Sequence, residues 1–69
     1  MYQLETLITN MPANIAELTR SSGVDERTLL RMRRGERVQR ASAVKVLNAL
    51  SKIYQKTFTL ENVSGINYQ

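Results

Sequence analysis

One proline and three glycines, Pro12, Gly23, Gly35 and Gly65, cut the 69 residues into short stretches. Within them apolar residues recur three and four apart, the period of a helix, and no stretch alternates as a strand does. A chain so divided can make a single small bundle of short helices, and residues 1–69 are read as one domain. A domain of this size buries a modest fraction of its surface, so its stability is expected to be small or helped by a partner.

The spacing places a first helix over Tyr2–Thr9, with Leu4, Leu7, Ile8 and Met11 on one side and Asn10 and Pro12 ending it. A second begins at Asn14, whose side chain can cap while Glu17 can reach back. Its inward stripe is Ile15, Leu18 and Thr19, and Ser22 and Gly23 stop it. Asp25 caps a third helix over 25–34, closed by Gly35. A fourth runs from Arg40 to Tyr54 with Ala43, Val46, Leu47, Leu50, Ile53 and Tyr54 inward, and Val38 plugs the core ahead of it. Thr59 can cap a fifth, brief turn through Leu60 to Val63, which Gly65 ends. The reading is therefore all-α, with four to five helices.

Charge narrows the function. The formal net charge is +4, and all seven arginines fall between positions 20 and 40. Residues 20–45 hold eight basic against three acidic side chains. On the third helix, advancing about 100° per residue from Glu26, Thr28, Met32 and Leu29 fall near about 200°, 240° and 300°. Glu26, Leu30, Arg34, Arg27 and Arg31 take the opposite arc, between about 0° and 140°. One side suits a core and the other a polyanion. Arginine grips phosphate and guanine through paired donors, which favours a nucleic acid over a merely solvated charged face.

Other classes fall away. There is no cysteine and no histidine, so disulfides, thiolate metal sites and the usual general base are missing. No acid–base pair or metal constellation stands out, and neither a catalytic site nor a cofactor is expected. Phe58 and the three tyrosines lie outside the basic segment, which disfavours base stacking on single-stranded RNA. Residues Met1 to Thr9 lack a basic start and an apolar run, and nothing reaches the length of a membrane span. A cytoplasmic protein is expected.

The stretch AELTRSSGVDERTLLRMRRGE, Ala16 to Glu36, sets two short helices around a tight turn holding Gly23 and Val24. With Leu18, Leu29, Met32 and Gly35, it resembles the phage repressor and Cro-like (Xre-type) helix-turn-helix family, and ERVQRASAVKVLNAL resembles that family's following loop and helix. The resemblance spans about Leu4 to Val63. It implies a lambda-repressor-like DNA-binding domain with the helix-turn-helix proper at about 14–35, and a prokaryotic, phage or mobile-element origin. Three positions depart from the family's pattern. Thr19 stands where alanine is usual, and its hydroxyl needs a backbone acceptor. Ile15 replaces a phosphate-touching glutamine. Ile8 and Arg33 stand where an arginine–glutamate pair is common, so both halves are gone together.

By resemblance, Glu26, Arg27, Leu30 and Arg31 are expected at base edges. Asn14, Thr28, Arg34, Arg37, Gln39 and Arg40 are expected at phosphates. Arg33 is placed to pair with Glu36, and Arg20 to face solvent. The implied function is a sequence-specific double-stranded DNA-binding transcriptional regulator, a repressor, with a homodimer on a two-fold operator as the arrangement related proteins use. The apolar Phe58, Leu60, Val63, Ile66 and Tyr68 either complete the core or form a dimer seam. The competing reading is a protein-interaction module of antitoxin or adaptor type with a protein partner.

Overall fold

Helix ends are fixed locally before any packing is considered. The computed structural model describes residues 1–69, in the order β1 (Tyr2–Gln3), α1 (Leu4–Asn10), α2 (Ile15–Ser22), α3 (Glu26–Arg33), α4 (Arg40–Tyr54) and β2 (Val63–Ser64). At the start of α2 the Asn14 Oδ1 accepts from the Glu17 N–H at 2.8 Å, and at the start of α3 the Asp25 Oδ1 accepts from the Thr28 N–H at 3.2 Å. Each cap satisfies an amide that a helix leaves without an internal partner. The Glu17 carboxylate makes no return bond, so only half of the expected reciprocal cap is present.

The turn between α2 and α3 depends on Gly23. Its φ is +73°, in the left-handed region, and its N–H donates to the Thr19 carbonyl at 3.0 Å. A Cβ at Gly23 would meet nothing within 4 Å, so backbone conformation, not space, calls for glycine. Ser22 then tightens the exit, its hydroxyl accepting from Val24 N–H at 3.1 Å. Val24 turns inward and is buried.

The core is one cluster with no buried polar or charged residue. Leu18, Leu29, Met32 and Leu50 are fully enclosed, joined by Leu4, Leu7, Ile8, Met11, Val38, Ala43, Val46 and Leu47. These are the inward positions expected of the four helices, and α2 packs chiefly on α4. Ile15 supplies the acceptor that Thr19 needs: the Thr19 hydroxyl donates to the Ile15 carbonyl at 2.8 Å, so a larger, polar side chain is accommodated without an orphaned group.

Two expectations are corrected at the chain ends. Tyr2 and Gln3 are strand rather than helix, pairing in parallel with Val63 and Ser64. The Thr59–Val63 segment is a turn rather than a fifth helix, held by the Thr59 hydroxyl accepting from the Glu61 and Asn62 amides. The fold is thus compact and mostly helical, with four helices and little strand. The C-terminal residues form a second parallel contact, Val38 N–H donating to Asn67 O at 2.9 Å and Gln69 N–H to Val38 O at 3.1 Å. Phe58 and Val63 are buried while Leu60 and Ile66 pack half-buried on the core, so most of the late apolar residues complete the core. No helix is long and apolar enough to cross a membrane.

Candidate nucleic-acid interface

The outward side of α3 is built by its own periodicity. Leu29 and Met32 anchor the inner side with no exposed surface. Glu26, Arg27, Leu30, Arg31 and Arg34 all lie on the exposed side, Leu30 retaining 39% of its accessible surface. Arg27 has neither an ion pair nor a side-chain hydrogen bond, and its guanidinium is free. At the foot of the helix, Thr28 and the nearby Arg27 charge both act on Asp25: hydrogen bonding to Thr28 first, with a small contribution from Arg27, holds the Asp25 carboxyl below its ordinary 3.8. Asp25 stays ionised and capping at neutral pH.

Past its last turn α3 is closed by two bonds, Gly35 N–H to Met32 O at 3.0 Å and Glu36 N–H to Arg31 O at 2.9 Å, around Gly35 at φ +82°. This is the Schellman arrangement, and it swings Glu36 back over the helix end. The Glu36 carboxylate meets Arg31 Nε through Oε1 at 3.4 Å and Arg34 Nε through Oε2 at 2.9 Å, the two salt bridges of the protein. Arg31 Nη2 also donates to the Arg37 carbonyl at 3.3 Å. Arg33 does not pair with Glu36 as expected. It points to α1 and donates to Thr9 Oγ1 at 3.3 Å, because the residue two places after Arg31 lies about 200° around the helix from it.

The ten expected contact residues do not all border one depression, although Arg31 and Arg34 meet at the one Glu36 carboxylate. Thr28, Arg31, Arg37 and Gln39 line a single polar depression, together with Val38, Ser42 and Gln69. Arg34 faces a second depression with Gln3, Glu5 and Arg33. Arg40, at the start of α4, borders a third, more apolar groove with Val44, Leu47, Phe58, Leu60, Glu61 and Tyr68. Asn14 borders none of the three and sits exposed at the start of α2, its Oδ1 already engaged by its cap. Glu26, Arg27 and Leu30 form the open ridge of α3 itself.

Ser42 and Gln69 were not singled out by sequence. Ser42 follows Gln39 by one helical turn and was legible from that spacing. Gln69 reaches the depression only through the pairing of the tail with Val38, a contact without a local signal. The nearest aromatic cluster lies elsewhere, Tyr2 and Tyr54 meeting Phe58 edge-on at 4.9 and 5.6 Å. No aromatic ring lines the polar depression. No family model, curated protein or solved structure matches this chain.

Proposed function

We propose that the protein is a sequence-specific double-stranded DNA-binding regulator of transcription, a repressor, that lays α3 in the major groove. On this reading α2 and α3 are a helix-turn-helix, with Gly23 setting the crossing and Val24 pinning it to the core. The observation that carries the proposal is the division of α3 into a sealed side, Leu29 and Met32, and an open ridge carrying Glu26, Arg27 and Leu30. A helix fits the major groove by width, and this ridge brings the donors, acceptor and apolar contact that base edges distinguish. Arg37, Gln39, Thr28 and Ser42 flank the ridge with a cation and neutral donors suited to phosphate oxygens.

Binding should then weaken steeply with salt, each neutralised phosphate contributing a slope of about 0.9 in log–log form. Arg27→Ala should lose about 1–3 kcal/mol on the preferred duplex and relax preference at one position, whereas Arg37→Ala should weaken all duplexes alike. Fluorescence anisotropy with preferred and scrambled duplexes at several salt concentrations measures both. Equal losses for the two variants on every duplex would contradict the assignment of the ridge.

The groove beside Arg40 supports a second reading, a protein-interaction module. Val44 and Tyr68 are two of the five large apolar residues left exposed, and both border this groove. Co-purification with a stable protein partner that buries Val44, with duplex affinity insensitive to salt, would favour it over the first. Sedimentation on a palindromic duplex decides whether a homodimer forms on a two-fold site.

A further inference from the structure

Four arginines lie between positions 27 and 34, yet they are not equivalent. Arg33 is turned to Thr9. Arg34 has its Nε held by Glu36 at 2.9 Å. Arg31 is held twice, its Nε by Glu36 at 3.4 Å and its Nη2 by the Arg37 carbonyl at 3.3 Å. A guanidinium has a rigid fork of five N–H donors, and the edge made by Nε and one terminal nitrogen is one of those that can fork onto an acceptor pair. In Arg31 both nitrogens of that edge already face acceptors of the protein itself, at 3.4 and 3.3 Å. Arg27 alone has its whole fork open.

We infer that Glu36 is a specificity-determining residue which competes with DNA for Arg31, holding Arg31 as a brace for the 36–39 loop and leaving Arg27 as the base-reading arginine. The inference rests on the proposed DNA-binding reading and refines it, since sequence alone gave Arg27 and Arg31 the same role. The brace has a structural logic. Arg31 ties the end of α3 to the carbonyl of Arg37, and Arg37 and Gln39 line the depression beside the ridge. The carboxylate is well placed to be the controlling group, because the Schellman closure sets it at the helix end and it makes every salt bridge the protein has. Both arginines remain partly exposed, with side chains 46% and 66% accessible, so the hold is one that a substitution can release without disturbing the core.

Glu36→Gln tests this, because it keeps the size and hydrogen-bonding reach of the side chain and removes the charge. The experiment selects bound duplexes from a random pool at fixed salt for the wild type, Glu36→Gln, Arg31→Ala and the double variant. Near-unchanged thermal melting of Glu36→Gln shows that the fold is kept. The wild type and Arg31→Ala should select the same bases, with Arg31→Ala binding all of them more weakly. Glu36→Gln should add one guanine position to the selected site and raise affinity about two- to thirtyfold, the range two exposed ion pairs of ordinary strength would give. In the double variant the added guanine should vanish. Loss of a base preference in Arg31→Ala, or an unchanged selection in Glu36→Gln, would overturn the inference while leaving DNA binding intact. Failure of both the wild type and Glu36→Gln to retain any duplex would instead remove the DNA-binding reading, and the inference with it.

Discussion

The Tyr54 phenol spans the core edge and donates to the Leu7 carbonyl, one of the acceptors that the short α1 leaves without an internal partner. Burial raises its pKa above the ordinary 10.0. The folded protein therefore keeps this proton at a pH where the unfolded chain releases it, and stability tied to it is full below 10.0 and declines as pH rises beyond. Tyr54→Phe should cost about 1 kcal/mol at neutral pH and flatten the fall in denaturation midpoint above about pH 10 relative to the wild type. An identical alkaline fall in both proteins would show that the phenol plays no part. At the same scale, Ser51 joins α4 to the returning chain, donating to Leu47 O at 2.8 Å and accepting from Phe58 N–H at 3.0 Å. Thr19 and Arg33 show what single residues disclose in sequence. That the Thr19 hydroxyl needs a backbone acceptor follows from its chemistry alone. The partner of Arg33 does not, since Thr9 lies 24 residues away and several exposed groups compete for one long side chain.

Among the elements, α4 shows the cost of a helix end without glycine. Gln55 closes it in the left-handed region at φ 56°, its N–H donating to Ser51 O, a conformation in which a Cβ is strained. Gln55→Gly should relieve that strain and stabilise the fold by roughly 0.5–1 kcal/mol after the added entropy of the unfolded chain, read as a higher urea midpoint with unchanged slope. A lower midpoint would mean that the Gln55 side chain contributes more than its backbone costs. The helix ends themselves were legible because they are local chemistry. Asn14, Asp25, Gly23 and Gly35 each announce a cap or stop within four residues of where it acts. The short strands were not, since two residues carry no period and the partner of Tyr2, Val63, lies at the far end of the chain. The turn at Thr59 has a cap and apolar residues at helical spacing, but the chain passes from it into the strand pairing of Val63 and the left-handed Gly65 at φ +87°.

Over the whole molecule, the tail and the first strand staple the two ends of the chain to the helical body, Asn67 reaching Gly35 O as well as Val38. The helical fold and the inward faces could be read from spacing, and so could the exposure of Arg27 and Leu30. Which depression each basic residue borders could not, because it depends on where Glu36 and the tail come to rest. On the proposed function, the open ridge of α3 and the depression beside it form one surface for duplex DNA. Titration of isotopically labelled protein with a preferred duplex, followed by backbone and arginine side-chain NMR signals, tests it most directly. Shifts should concentrate at Glu26–Arg31 and Arg37–Ser42, with Val44, Leu60 and Glu61 unmoved. Shifts gathered along the groove of α4 and the tail, with Arg27 unaffected, would contradict it.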